Sequence, residues 1–196
     1  MIWGERIRLK RLELDDIKKM MNWGQNEEAL FSDYNFPQLS ESEQKMWYGR
    51  KNQHGRKCFC IFNKENRLIG YIALRKLNYI DKSGEIGIVI DPNYHNMGYG
   101  TEAIKLFLKW FFENFKFHKL NLIVAAYNIR AIRCYEKVGF SFKKEYYGKF
   151  YNDGFNPFED ENFKFREFFK DTSAGIQTKY IKMNIKKENY CKEKET

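Results

Sequence analysis

The sequence predicts a mixed α/β fold in which helices flank a central sheet of mostly antiparallel strands. Segments that alternate apolar and polar side chains recur along the chain, and stretches with a helical apolar stripe stand between some of them. No internal repeat is visible, and 196 residues with a hydrophobic fraction of 43% are enough to build one core. We therefore predict a single domain over residues 1–196.

Three elements are predicted ahead of the main sheet. Residues 5–11 alternate apolar and charged side chains, which is typical of a half-buried strand. Residues 14–31 are predicted to form a helix, because two aspartates stand in its first turn, where carboxylates suit the helix dipole. A second helix is predicted over residues 40–50, since Ser40 and Glu43 have the spacing of a capping box.

The middle of the chain predicts a hairpin, two further strands and a long helix. The segments 57–62 and 67–77 are separated by the turn-like sequence NKEN, which indicates a hairpin. Residues 84–90 form a strand that ends before Asp-Pro. Residues 101–116 repeat apolar groups every four positions, which is typical of the core face of a helix. The apolar run 120–126 predicts the next strand.

The last part of the chain predicts a short helix, two closing strands and an insertion. Residues 128–140 form the helix, which begins after Asn128 as N-cap and ends at a glycine. Residues 142–150 and 180–185 are strands. Between them, residues 155–177 are too long for a hairpin loop and are interpreted as an insertion. The polar tail 187–196 is expected to be disordered.

The cysteines and histidines do not have the spacing of a metal site. No C-x-x-C pair occurs and no histidines cluster near a cysteine, so the spacing of a zinc centre is missing and we expect no metal. Two of the cysteines share one face of a predicted strand and are interpreted as core residues. The four cysteines are Cys58, Cys60, Cys134 and Cys191.

The net charge of +9 is concentrated in one region. Residues 101–150 carry ten Lys or Arg against four Glu, a net charge of +6. No run of basic residues interleaved with aromatics appears, so we expect no nucleic-acid partner and interpret the charge as a basic cleft for a polyanionic cofactor. The charged start of the chain is unlike a signal peptide, and the apolar stretch 106–112 is too short to span a bilayer. We expect a cytoplasmic protein with no membrane partner.

The stretch HNMGYGTEA, residues 95–103, places two glycines just ahead of the long helix. Backbone N–H groups at such a helix start attract anions, although a tight turn without a ligand is the alternative interpretation. The dinucleotide motif G-x-G-x-x-G/A does not fit its context, because seven residues separate Ile90 from Gly98 and no acidic residue ends the next strand. A P-loop is excluded, since Thr follows Gly100.

Two linked motifs in this context are similar to those of the GNAT family, the acetyl-CoA-dependent N-acetyltransferases. The first, Q/R-x-x-G-x-G/A, is met at Gly98 and Gly100, while His95 replaces the leading Gln or Arg. The opening GERIRLKRLELDDIKKMMNW and the later FYNDG and KYIKMNI resemble the ribosomal-protein and spermidine acetyltransferase branch. The resemblance implies the GNAT fold for this chain. The second motif, N-x-x-A-x-x-x-Y-x-K-x-G-F, is complete at Asn128, Ala131, Tyr135, Lys137, Gly139 and Phe140.

The resemblance implies that acetyl-CoA is the acetyl donor. Amides from Met97 to Thr101 suit its pyrophosphate, and the pantetheine arm is expected beside the strand Ile88–Ile90. The backbone N–H of Val89 is the expected donor to the thioester carbonyl. The expected cofactor-binding residues are Ile88, Val89, Ile90, His95, Asn96, Met97, Gly98, Tyr99, Gly100, Thr101, Asn128, Ala131 and Tyr135.

Glu85 and Tyr135 are the expected catalytic residues. An alkylamine is mostly protonated at pH 7, so a base or a relay through water is useful, and Glu85 stands in an otherwise apolar strand. A solvated carboxylate at a strand end is the alternative interpretation. The resemblance implies that the Tyr135 phenol protonates the departing thiolate; otherwise it is a buried aromatic side chain.

These features predict direct transfer of acetyl to a primary amine in a ternary complex. A polyamine, a ribosomal-protein N-terminus and an aminoglycoside all stay open as acceptors. A catalytically inactive acyl-CoA-binding module and an RNA-associated protein are the competing functions. Dimers are common among such enzymes, so a homodimer is open as well.

Overall fold

A nine-stranded sheet runs through residues 1–192, the part of the chain that the computed structural model describes. The strand order is β1-β2-β3-β4-β5-β6-β9-β7, with β8 paired to β9. All pairs are antiparallel except β5 with β6, which confirms a mixed, mostly antiparallel sheet. The strands are β1 (Ile2–Trp3), β2 (Ile7–Arg11), β3 (Lys57–Asn63), β4 (Leu68–Asn78), β5 (Ser83–Ile90), β6 (Lys119–Ala125), β7 (Ser141–Lys149), β8 (Phe169–Lys170) and β9 (Gln177–Lys186).

Helices cover both faces of this sheet. Ser40 and Glu43 form the predicted capping box at the start of α2, and the Asn128 side chain accepts from the Ala131 N–H at the start of α4. Both predicted helix starts are therefore confirmed. The helices are α1 (Asp16–Met20), α2 (Glu41–Asn52), α3 (Tyr99–Asn114), α4 (Ile129–Lys137) and α5 (Lys187–Lys192), with 3-10 turns at Ala29–Tyr34, Pro92–Tyr94 and Arg166–Phe168.

The core lies on both faces of the sheet. On one face, Ala103, Phe107 and Phe111 of α3 are fully buried, as their four-residue spacing predicts. On the other face, Cys58 and Cys60 are also fully buried among α1 and α2, so the prediction that they are core residues is confirmed. Each buried Phe contributes about 2–3 kcal/mol by leaving water. None of the helices described over residues 1–192 has the length and apolar composition needed to cross a membrane.

The helix predicted over residues 14–31 is wrong in most of its length. α1 ends at Met20, and the chain then turns so that the Trp23 indole donates to the Leu68 carbonyl at 2.8 Å. The Gly24 N–H donates to the Asp91 carboxylate at 3.0 Å. These two bonds to the sheet replace the hydrogen bonds that a continuing helix would make, and the segment up to residue 40 is largely irregular.

The predicted insertion folds onto the sheet. Residues 155–177 contain one 3-10 turn and the two-residue β8, and their aromatic side chains join a cluster with Leu30, Tyr127 and Phe150. The tail prediction is wrong for residues 187–192, which form α5 because Lys187 continues directly from β9 and its ammonium donates to the Phe112 carbonyl. The remainder of the predicted disordered tail lies outside the described residues.

Candidate active site

The central feature of the site is an opening between the two parallel strands. β5 pairs with β6 only from Ser83 to Glu85, opposite Lys119 to Asn121. Both strands then continue without pairing to each other, β5 to Ile90 and β6 to Ala125. An unpaired edge of β5 therefore faces a gap that an extended ligand can enter and pair with.

The register of β5 decides which amides face this gap. The Asp91 N–H donates to the Ile69 carbonyl on β4 at 2.9 Å, so the Ile90 carbonyl in the same peptide plane points away from β4. Alternation along the strand then turns Ile88 and Ile90 towards the gap and Val89 towards Tyr71 on β4. The expectation that the Val89 N–H meets the thioester is thus corrected, because the Ile88 and Ile90 amides face the opening.

The glycine-rich stretch forms an exposed loop and the first turn of α3. Gly98 is the N-cap residue and has a φ of 81°, while Asn96 has a φ of 62°, so both adopt the left-handed region. The Glu102 N–H donates to the Gly98 carbonyl, which leaves the amides of residues 99–101 without an intrahelical acceptor. A Cβ on Gly100 would lie 3.7 Å from the nearest atom, the Cys134 Sγ, so the packing of the chain itself does not require glycine there.

Arg6 fixes this loop from outside the motif. Its backbone N–H and Nε both donate to the Glu102 carboxylate, at 2.7 and 2.8 Å. Its Nη1 donates to the Met97 carbonyl at 3.1 Å, and its guanidinium stacks over the Tyr99 ring. One side chain from the start of β2 therefore holds three positions around the start of α3.

His95 links the loop to α4. Its Nε2 lies 3.0 Å from the Ile90 carbonyl oxygen, and its Nδ1 lies 2.8 Å from Nη1 of Arg130. Burial first, and then the charge of Arg130, lower the pKa of His95, so the imidazole is neutral at pH 7. In the place of the family's Gln or Arg, this chain thus has a neutral histidine with a partner on each nitrogen.

Tyr135 lies on the buried face of α4. Its ring is buried in the same cluster as the Ile88 and Ile90 side chains, and Ala131 and Cys134 pack against that cluster. Burial raises the pKa of Tyr135, with smaller contributions from Cys134 and Tyr34. The phenol therefore keeps its proton throughout the physiological range, as a proton donor requires.

Glu85 is not a free carboxylate. The Arg75 guanidinium donates to Oε1 at 2.8 Å and the Lys76 ammonium donates to Oε2 at 3.0 Å, and the glutamate is buried. Two consecutive residues reach it because the β4–β5 register shifts after Arg75 and Lys76 has a φ of 51°. With both oxygens in ion pairs, the carboxylate is less suited to receive a proton from substrate than the sequence suggests.

A cavity of about 530 Å³ opens beyond the ends of β5 and β6. One wall belongs to the loop before α3 and the start of α4, and the other to the segment after α1 and the insertion. Two carboxylates and three aromatic rings lie among its polar amides. The lining residues are Gln25, Asn26, Glu27, Glu28, Phe31, Pro92, Asn93, His95, Asn96, Tyr127, Asn128, Ile129, Arg130 and Phe165.

Gly87 leaves space beside this arrangement. It shares a strand face with Glu85 and Val89, and a Cβ built on it meets no atom within 4 Å. The chain therefore offers an open surface on the opposite side of β5 from Tyr135, where an acceptor can approach a group held in the gap.

Three contributors to the site have no clear sequence signal. Arg6 and Arg130 act through contacts across 91 and 35 positions respectively, which spacing along the chain does not reveal. Tyr34 lies within the irregular segment after α1. Burial raises the pKa of Tyr34, and the bonds of its hydroxyl with Asn128 and Tyr127 act against that effect. Over the described part of the chain, no three His, Cys, Asp or Glu side chains stand together as metal ligands.

Known acetyltransferases are similar to this chain in sequence. A family model described as an acetyltransferase (GNAT) domain matches residues 6–141. The spermidine N(1)-acetyltransferase of Vibrio cholerae serotype O1 is 28% identical over 138 residues, which cover 70% of this chain and 80% of that protein. The spermidine N(1)-acetyltransferase of Escherichia coli K12 is 26% identical over 148 residues, which cover 76% and 80%.

The fold is also shared with a solved structure. The crystal structure of spermidine N-acetyltransferase from Vibrio cholerae in complex with CoA and spermine superposes with a TM-score of 0.73. The superposition covers 96% of this chain and 99% of that chain, at 23% sequence identity. This likeness confirms the predicted fold.

Proposed function

The chain belongs to the GNAT acetyltransferase family, and on that premise we propose that it binds acetyl-CoA between β5 and β6 and acetylates a polyamine. The observation that carries this proposal is the parting of the two strands after Glu85, directly beside the exposed glycine loop and the buried Tyr135. A pantetheine arm can pair with the Ile88 and Ile90 amides while free helix amides receive the pyrophosphate. The relative with known structure was crystallised with CoA.

The reaction we propose is direct attack in a ternary complex. The ammonium of the acceptor first loses one proton to solvent, and the neutral nitrogen attacks the acetyl carbonyl carbon. The carbon–sulfur bond then breaks, and the thiolate takes a proton from the Tyr135 hydroxyl. One of the two protons on the attacking nitrogen then returns to the phenolate, and the other stays on the amide product. The products are the N-acetylated amine, CoA thiol and one released proton.

Water rather than Glu85 receives the first proton in this proposal. Both carboxylate oxygens of Glu85 are held by Arg75 and Lys76, whereas Gly87 leaves room for solvent at the same face. Removing the negative charge of Glu85 should therefore disturb the packing at this end of β5 more than it changes the rate of acetyl transfer. The variant Glu85→Gln is expected to keep the pH profile of kcat/KM, with a lower thermal unfolding temperature. A change in the acidic limb, where activity rises as a base loses its proton, would restore the base role to Glu85.

A polyamine suits the far wall of the cavity. Glu27 and Glu28 supply negative charge there, and Phe31 and Phe165 supply rings that attract cations. Two relatives from different bacteria act on spermidine by name. A polycation extending along these carboxylates gains more than a monoamine.

Catalysis is favoured over simple acyl-CoA binding because Tyr135 is present and buried at the gap. We further propose that the enzyme works in the cytoplasm. Three described cysteines, Cys58, Cys60 and Cys134, are free thiols, which suits a reducing compartment.

The test is a panel of acceptors mixed with acetyl-CoA and the purified protein. Spermidine, spermine, a ribosomal-protein N-terminal peptide and an aminoglycoside are compared by thiol release and by mass of the product. The largest kcat/KM is expected with spermidine or spermine. Thiol release only with the peptide or aminoglycoside would overturn the acceptor, and no release with any amine despite tight CoA binding would overturn the enzyme.

A further inference from the structure

Arg130, at the start of α4, bonds to His95 directly ahead of the glycine-rich loop. We propose that Arg130 binds a phosphate of CoA and that His95 is the positioning residue that holds Arg130 for this task. The inference rests on the proposed cofactor site and assigns it two residue roles that the motif does not give.

The hydrogen bonds of His95 fix its tautomer. A guanidinium can only donate, so Nη1 of Arg130 donates to Nδ1 of His95 at 2.8 Å. The proton of the neutral ring is then on Nε2, which donates to the Ile90 carbonyl at 3.0 Å. The imidazole thus connects the end of β5 to the guanidinium and allows one orientation of the ring.

The guanidinium lies close to the loop that leads to the free amides of α3. His95 directly precedes the loop from Asn96, and Arg130, His95 and Asn96 all line the cavity of about 530 Å³. Only Nη1 of Arg130 is used by His95 among the bonds found in residues 1–192. Its other donors can form the fork that phosphate oxygens accept, and the group stays charged although burial lowers its pKa.

A competing charge explains why Arg130 needs a positioning residue. Glu28 lines the same cavity, and its carboxylate is the main charge that attracts Arg130. Without His95 the long side chain can turn to Glu28 and leave the phosphate side. The bond to His95 keeps the guanidinium at the cofactor wall.

His95, which stands where the family motif has Gln or Arg, can make the same bonds as a glutamine. A Gln at position 95 has an amide oxygen that can accept from Arg130 and an amide N–H₂ that can donate to Ile90. His95 offers the same pair of an acceptor and a donor on a ring. The substitution therefore preserves the link to α4, and His95→Gln is the natural rescue variant.

Arg130 is tested by calorimetric binding of CoA and of dephospho-CoA, without acceptor. Arg130→Ala is expected to weaken CoA binding about tenfold, whereas Arg133→Ala, which removes an exposed charge one turn further along α4, leaves it within about twofold. Equal loss with dephospho-CoA assigns the contact to the pyrophosphate, and loss with CoA alone assigns it to the 3′-phosphate. Unchanged CoA affinity in Arg130→Ala would overturn the proposal.

His95 is tested by two variants of similar size. His95→Leu is expected to raise KM for acetyl-CoA about as much as Arg130→Ala, with kcat within about twofold, while His95→Gln restores the wild-type KM. The double variant His95→Leu with Arg130→Ala is expected to lose no more than either change alone. Equal KM in the Leu and Gln variants, or losses that add, would overturn the positioning role.

The binding measurements separate this proposal from the proposed function. Thermal unfolding of every variant shows whether it folds, and CoA affinity is read without any amine present. Normal CoA binding that depends on Arg130, with no acetyl transfer, would contradict the proposed enzyme and support the Arg130 assignment. A wild-type protein that binds neither form of CoA would contradict both.

Discussion

The two walls of the cavity are built in different ways. The cofactor wall consists of the loop before α3 and the start of α4, and Gly98 and Asn128 are the N-cap residues of these two helices. The acceptor wall consists of the irregular segment after α1 and the insertion. The Asn152 amide, just ahead of the insertion, holds the irregular segment by donating to the Ala29 carbonyl at 2.8 Å and to Ser32 at 3.0 Å. The cofactor wall thus depends on helix starts, whereas the acceptor wall depends on loops that pack against distant parts of the chain.

This difference suggests a division of tasks between the walls. A cofactor with constant chemistry is met by backbone amides, whose positions depend on dihedral angles more than on side-chain identity. The acceptor meets side chains on loops, which tolerate insertions. Changes on the cofactor wall should therefore alter kcat or acetyl-CoA affinity, and changes on the acceptor wall should alter the amine KM.

The largest effect is expected at Tyr135, on the helix whose start forms part of the cofactor wall. Tyr135→Phe keeps the buried ring and removes the proton donor, so kcat should fall about 10²-fold or more with both KM values little changed. Steady-state kinetics with acetyl-CoA and spermidine measures this. Tyr94→Phe removes a hydroxyl outside the gap, which contacts Arg67, and should leave kcat unchanged. A kcat near that of wild type in Tyr135→Phe would remove the phenol from the chemistry.

The two glycines of the loop should separate folding from binding. Gly98→Ala meets a positive φ of 81° and should lower the free energy of unfolding by about 1 kcal/mol. Gly100→Ala meets only ordinary contacts within the chain, so its stability should hold while the added methyl group blocks the pyrophosphate and weakens CoA binding about tenfold or more. Denaturant unfolding and calorimetry measure the pair. Wild-type CoA affinity in Gly100→Ala would move the cofactor away from this loop.

Phe165 tests the acceptor wall. Phe165→Ala should raise the spermidine KM severalfold through the loss of a ring that attracts cations, with acetyl-CoA affinity unchanged. Phe158→Ala is the matched control, because it removes a ring from the same insertion outside the cavity lining. Equal effects of the two variants on the amine KM would show that the insertion acts through stability alone.

The smallest effect is expected from pH. Burial and Arg130 lower the pKa of His95 below 6.5, while Asp91 acts in the opposite direction. The unfolded chain therefore binds this proton more readily, so the stabilising contribution is full above pH 6.5 and declines as the pH falls. A protonated ring cannot accept from Arg130, so affinity for CoA should decrease severalfold more between pH 7.5 and 5.5 in wild type than in His95→Gln. An identical decrease in both would contradict this.

The elements around the cofactor wall could be predicted from the sequence because their signals are local. The caps of α2 and α4 and the apolar stripe of α3 each depend on residues within a turn or two. The orientation of the Val89 amide depends on the register between β5 and β4, and the ion pairs of Glu85 depend on a shift in that register. The sequence of β5 alone does not reveal either of them. The helix predicted after Leu14 failed because Trp23 bonds to Leu68, 45 positions away.

A crystal structure of the protein with CoA tests the central assignment most directly. The pantetheine arm is expected between β5 and β6, bonded to the Ile88 and Ile90 amides, with the sulfur within about 3.5 Å of the Tyr135 hydroxyl. A pantetheine bonded to the Val89 amide, or a sulfur held away from Tyr135, would contradict the register and the proton donor that the site is built on.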